Sequence, residues 1–233
     1  RRYQRLRDLD DTELGRLLAN SRRQKQDLML VLLGGRRQLP GGQGPWTHVD
    51  FDAVFERITR KNTRDERNVL TISAQHGLVS QLDYFSKSVA SDDLRSYTPL
   101  TTGDFAYNKS SSSGYPVGAI KPLLAYDSGV VSSLYICFRS RPGVEVDTDF
   151  YRLYFEAGML NDAITGIAQE GARSHGLLNI SVRDFFKLPL HLPPLEVQRR
   201  VAAILRVAEA EERSIGRQRE ALLTEKRALM RDL

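Results

Sequence analysis

From Leu195 to the end of the chain, apolar residues return every seven positions. Val201, Ala208, Ile215, Leu222 and Leu229 form the column, and Leu205, Leu223, Met230 and Leu233 widen it into a stripe. The spacing predicts one helix of about 39 residues, roughly 58 Å long at ~1.5 Å per residue, with a coiled-coil-like seam. Pro193 and Pro194 set its start, because proline suits a first helical turn and is costly further in. Glu196 lies near the positive end of the helix dipole. A lone helix of this length leaves its stripe in water, so it needs a partner.

The opposite end of the chain offers one. Shifted by 201 positions, "ELGRLLANSRRQKQDLM" (13–29) lies over "SIGRQREALLTEKRALM" (214–230). Leu14 then matches Ile215, Lys25 matches Lys226, and Leu28–Met29 match Leu229–Met230. The repeat predicts a helix over 1–33, with the glycine- and proline-rich stretch 34–45 as a linker. Between the helices, 46–191 reads as a mixed segment, so the expected fold class is α+β. Residues 69–73, 104–108, 119–126 and 130–138 are strand-like, and 148–168 has helical spacing. A short helix and an extended exit are expected over 180–193.

Composition narrows the compartment. Hydrophobic residues make up 41% and charged residues 27%, ordinary values for a globular chain. The single cysteine, Cys137, lies in the apolar run "SSLYICF" and is expected to be a buried strand residue, not a nucleophile or metal ligand. The apolar run 28–33 is too short to cross a bilayer, and no secretory signal follows Arg1, so a reducing cytoplasm is the expected setting. The net charge of +5 is uneven. Residues 1–38 hold 10 basic against 5 acidic side chains, 39–191 hold 15 against 17, and 192–233 hold 9 against 7. Bulk charge therefore argues weakly for nucleic acid, and a DNA-binding surface must come from local clustering.

Several segments together resemble the specificity subunit of type I restriction-modification systems, as one target-recognition domain with its helical region. They are "FERITRKN", "ISAQHGLV" (72–79), "YTPLTTGDFAYNKSSSSGYPVGAI" (97–120), "GVVSSLYICF" (129–138), "EGARSHGLLNISVRDFFKLPLHLPPLEVQRRVAAIL" (170–205) and the terminal "KRALM". The proline-to-helix junction is the most specific of these. The resemblance covers 46–233, with 1–33 as the tail of a preceding helix, 46–191 as the recognition domain and 192–233 as the long helix. It implies that the domain reads one half of a split double-stranded DNA site. It also implies that the helices act as spacer and docking surface for methyltransferase and restriction subunits, with S-adenosylmethionine, ATP and Mg only on those partners. Such subunits usually carry two domains and this chain has one, which leaves a half-size subunit, paired with a second copy or second half, and a piece of a longer chain both open.

The residues with chemistry for DNA fall in four places. Arg60, Lys61 and Arg64 offer phosphate contacts, which position a protein without reading sequence. Tyr107, Asn108, Lys109, Ser110, Ser112 and Tyr115 lie on a polar loop where Asn suits adenine and Lys suits guanine or phosphate. Gln75 with His76, and Arg173 with Ser174 and His175, make two further candidate reading loops. The expected helix interface is Leu14, Leu28, Val201, Ala208, Ile215, Leu222 and Leu229. No catalytic or metal-binding residues are expected. The chain has no phosphate-cradling loop ending in Gly-Lys-Ser/Thr, no Asn/Asp-Pro-Pro-aromatic tetrad and no zinc spacing, and "GGQGPW" neither follows a strand nor opens a helix. Two alternatives stay open: a coiled-coil protein-interaction module that binds no DNA, and the recognition part of a fused restriction and methyltransferase enzyme.

Overall fold

The structure, a computed structural model, describes residues 2–35, 46–73, 76–85, 93–112, 114–168 and 178–231, without the side chains of 2–11, 84, 85, 229 and 231. Helix α1 (Arg2–Leu33) ends at Gly34 and Gly35, where Gly35 takes a φ of 66°. A side chain there would meet the Trp46 ring at 3.0 Å, which fits glycine at this helix end. The chain continues through β1 (Thr47–Asp50), α2 (Phe51–Val54), β2 (Phe55–Arg57), β3 (Leu70–Ser73), β4 (Gly77–Ser80) and α3 (Gln81–Phe85). Then follow β5 (Thr98–Thr101), β6 (Phe105–Asn108), β7 (Ala119–Pro122), β8 (Ser128–Val131) and β9 (Ile136–Ser140). Helices α4 (Thr148–Glu156), α5 (Asn161–Ile167) and α6 (Val182–Phe185) lead to β10 (Pro189–Leu192) and α7 (Leu195–Arg231).

The central sheet has the order β2-β9-β6-β7 and is antiparallel throughout. Its middle strands are covered on both faces, which explains why they read as continuous apolar runs. Along β6, Phe105 and Tyr107 enter the main core, while Ala106 enters a second, smaller cluster with Leu70, Leu100 and Val131. Cys137 on β9 belongs to that second cluster, and burial is the first cause that pushes its thiol up to about 12, so it is an inert strand residue. The main core is aromatic. Phe51, Phe55, Phe105, Phe138, Phe150, Tyr151 and Phe185 are all fully buried, with Phe105 and Phe138 stacked at 5.3 Å.

Three expected elements are divided in the structure. The run 130–138 is broken by a turn at Ser132–Tyr135, in which the Tyr135 amide donates to the Ser132 carbonyl at 3.1 Å. The helical span 148–168 is interrupted at Gly158, whose φ of 72° leaves the helical region. The strand expected over 119–126 stops at Pro122, where proline lacks the donor a ladder needs.

The bases of both long helices belong to the main core. Met29, Leu32 and Leu33 of α1 join Val197, Val201, Ala202 and Leu205 of α7 there. Gln198, with no exposed surface, pins α7 to the domain. Its amide donates to the carbonyls of Pro193 (2.9 Å) and Glu145 (3.2 Å) and accepts from the Asp147 amide at 2.8 Å. Further along, Arg152 of α4 grips Glu209 of α7 through two nitrogens at 2.8 and 2.9 Å and binds Asp149 at 2.7 Å. Burial works against the Arg152 charge, but these carboxylates more than offset it and raise its pKa.

Beyond that grip the helices pair antiparallel. Lys25 and Arg22 hold Glu212 at 2.6 and 2.9 Å, Gly15 lies against Arg219, and Leu14 and Leu17 share a groove with Gln218 and Leu222. On α7, Val201 is buried and Ala208, Ile215 and Leu222 are half-buried; the Leu229 side chain lies outside the described residues. On α1, Leu14 lies on the seam as expected, but Leu28 needs correction: it is 39% exposed, and the buried positions are Leu18, Ser21, Met29, Leu32 and Leu33.

Candidate nucleic-acid interface

The segment between β6 and β7 is a hydrogen-bonded hairpin extension. Ser112 and Tyr115 exchange backbone hydrogen bonds at 2.9 and 3.1 Å around a turn in which Gly114 has a φ of 83°. The Asn108 side-chain oxygen accepts from the Ser110 amide at 3.1 Å, folding the strand exit back on itself. Gly118 closes the hairpin with a φ of 83°, and a Cβ there would stand 2.2 Å from the Asn108 carbonyl oxygen. Ser110 and Ser112 are exposed, and Asn108 and Lys109 are half-buried.

Two aromatic residues expected on this loop have other roles. Tyr107 is fully buried, its ring stacked on Phe185 at 5.0 Å and its hydroxyl donating to the Val117 carbonyl at 2.6 Å. Burial raises its pKa. Tyr107 is thus a core residue, corrected from a reader of bases, because the alternation along β6 points it inward. Tyr115 is braced from below. Its hydroxyl donates to Glu156 at 2.7 Å and accepts from Lys121 at 2.9 Å, while Lys121 also pairs with Glu156 and lies 4.8 Å from the Tyr115 ring centre. Burial first, then Glu156, raises the Tyr115 pKa and keeps it a neutral phenol. Lys121 is only 7% exposed, and this network ties the hairpin to the end of α4. The sequence held a signal for it: one lysine inside the apolar run "AIKPLL" calls for a buried partner.

The cationic segment after β2 is also tightly organised. Buried Asn62 donates to the Glu66 carbonyl at 2.9 Å and accepts from the Glu66 amide at 3.0 Å, and its own amide reaches Tyr97. Glu66 accepts from Ser128 and from the Asn68 amide, and these bonds hold its carboxyl below the usual range. Lys61 and Arg64 are exposed on this frame. Arg60, also exposed, is partly engaged, with Asp104 at 3.6 Å and the Pro99 carbonyl at 3.4 Å. His76 is exposed on the β3–β4 turn.

The four candidate places do not all converge in the described residues. Strands β2 and β6 both run antiparallel to β9, but Arg60 turns to Asp104 and the Pro99 carbonyl, at the start of β6 and so at the end opposite the hairpin. The Leu178 amide donates to the Lys109 carbonyl at 3.1 Å, which brings the chain just after Arg173, Ser174 and His175 against the hairpin. Those three residues, and Gln75, lie outside the described residues. Among the described residues, no three His, Cys, Asp or Glu side chains come together as a metal site, and no helix is long and apolar enough to cross a membrane.

No protein-family model and no curated protein matches the chain. Solved structures do. The HsdS subunit from Thermoanaerobacter tengcongensis aligns with 97% of this chain and 54% of its own, at 16% identity and a TM-score of 0.56. The S subunit of a type I restriction-modification system from M. genitalium aligns with 96% of this chain and 56% of its own, at 9% identity and a TM-score of 0.54. A structure concerned with complex assembly and conformational transition of the type I restriction-modification system aligns with 94% and 54%, at 18% identity and a TM-score of 0.52. The chain therefore spans about half the length of the solved structures it matches. At these identities the likeness is one of fold, and the fold is that of the S subunits of type I restriction-modification systems.

Proposed function

We propose that the chain is a DNA-reading specificity unit of a type I restriction-modification system, recognising one half of a split duplex site. The observation that carries this reading is the extent of the fold likeness. It runs over 94–97% of the chain, so it takes in the aromatic-cored domain and the antiparallel helices as one arrangement. The braced hairpin, with Asn108, Lys109, Ser110 and Ser112, supplies groups that can read base edges, and Arg60, Lys61 and Arg64 supply phosphate contacts. The helices form the spacer and the docking surface for methyltransferase and restriction subunits, and a second copy or second half completes the split site. The chain itself is non-catalytic, needs no cofactor and works in the cytoplasm; S-adenosylmethionine, ATP and Mg belong to its partners.

Duplex binding tests the reading. The chain should bind a randomised 40-base-pair duplex pool with an affinity that falls steeply as salt rises, and should enrich a common sequence from that pool. An affinity that ignores salt, or a pool left unselected, would remove DNA reading and favour a protein-interaction module.

A further inference from the structure

On α7, Arg199, Arg206, Arg213 and Arg227 recur at multiples of seven residues, and Arg217 lies one turn beyond Arg213. A seven-residue repeat keeps side chains on nearly the same side of a helix, so the five arginines form a ridge about 42 Å long. All five are exposed. Arg206 touches Asp149 at 3.4 Å with 58% of its side chain in solvent, and among the described residues Arg227 bonds to its own helix, at Leu223 and Thr224. Among the described residues, no carboxylate pairs with Arg199, Arg213 or Arg217. Glu220 is the one acid in the column.

The ridge is distinct from the seam that faces α1, which contains Glu212, Ile215, Arg219 and Leu222. It also differs from the far side of the helix, where Ile204 and Val207 are exposed beside Glu211 and Glu225, with Arg200 the one arginine. Its direction is set by α4. That helix meets α7 at Arg206 and Glu209 and carries at its other end Glu156, which holds the hairpin through Tyr115. At Arg206 the ridge therefore lies on the side of α7 that meets α4.

We propose that this arginine ridge is a backbone-contact surface for duplex DNA lying alongside the rod, outside the bases that the domain reads. The inference rests on the DNA-reading function proposed above. A protein-docking surface has an apolar centre depleted of charge, whereas the residues between these arginines on the ridge are Ala203, Ala210, Glu220 and Thr224, with no large apolar side chain. A polyanion is the partner that a row of guanidinium groups along one side of a rod fits. Contacts of this kind carry no base preference, so the DNA between two half-sites could have any sequence.

The test compares the full chain with R213Q/R217Q/R227Q on the same randomised 40-base-pair pool, by fluorescence anisotropy from 50 to 300 mM salt. The slope of log affinity against log salt should fall by about 2 to 3, since each lost phosphate contact removes about 0.9. The sequences enriched by parent and variant should coincide, and R213K/R217K/R227K should restore the slope. Should the triple variant lose helical circular dichroism, the single variants R213Q, R217Q and R227Q give the same answer, each lowering the slope by about 0.9. A folded variant with the parental slope would overturn the ridge while leaving the DNA-reading function intact. So would a variant that keeps the slope but no longer co-purifies with methyltransferase, which would make the ridge a protein-docking face. A parent chain that binds no duplex would overturn both.

Discussion

Replacing Lys121 with Met tests how the hairpin is held. The Lys121 side chain is 8% exposed and meets both Glu156 and the Tyr115 hydroxyl, so methionine fills the same space and removes only the charge and donors. Breaking one side of a fully buried ion pair costs about 3–5 kcal/mol. Glu156 keeps 31% of its side chain in solvent, which lets water take over part of its hydration and lowers the expected cost of Lys121→Met to about 1–3 kcal/mol. Glu156→Gln strands the less exposed ammonium and should cost at least as much. The double variant leaves neither charge stranded, so urea unfolding of the four proteins should give a coupling of about 1–2 kcal/mol. On the randomised duplex pool, Lys121→Met should blur the enriched sequence while leaving the salt slope unchanged, because the brace positions Tyr115 and its hairpin and is itself no phosphate contact. Additivity within about 0.5 kcal/mol, or an unaltered enriched sequence, would refute the bracing role.

Three further outcomes follow from the same geometry. Gly118→Ala should destabilise by about 2–4 kcal/mol in urea unfolding, because the left-handed φ and the clash with the Asn108 carbonyl add; a loss below about 0.5 kcal/mol would contradict it. Ile215→Asp with Leu222→Asp places carboxylates in the half-buried seam and should cost about 1–3 kcal/mol per site, with lost helical circular dichroism and the aromatic core retained; unchanged helicity and solubility would count against the seam. Stability should also fall between pH 8 and 5.5. Burial, and then the His48 ring 2.8 Å away, lower the His191 pKa, so the folded chain binds fewer protons than the unfolded one. That contribution is complete above the unfolded value of 6.5 and is lost as pH drops below it; Glu212, also held low, loses its own contribution only as pH drops below 4.5. A flat urea midpoint from pH 8 to 5.5 would show that His191 is not held neutral.

What the sequence disclosed depended on repetition. The α7 seam was legible because its period persists through four heptad steps, and the interior strands because they are apolar on both faces. Strands of three or four residues, such as β1, β2, β4 and β5, offered too few positions for any period to emerge. Tyr107 was misassigned because composition marks a polar loop without saying where the preceding strand's alternation ends. Leu28 was misplaced for a related reason: a short helical repeat fixes register along the axis better than rotation about it. The Lys121–Glu156–Tyr115 brace joins residues 41 positions apart, a separation that only the closed sheet and α4 bring together. Gln198 stood in view at the proline-to-helix junction, yet two of its three bonds, to Glu145 and Asp147, required the turn before α4 to be in place.

Methylation mapping tests the central claim most directly. The chain would be expressed with a type I methyltransferase subunit in cells lacking other such systems, and every methylated position sequenced. The account predicts one recurring split sequence, abolished or altered when Asn108 and Lys109 are both replaced by alanine in a chain that still folds and still binds the methyltransferase. Methylation at positions with no common sequence, or the same recurring sequence when this chain is left out, would contradict it.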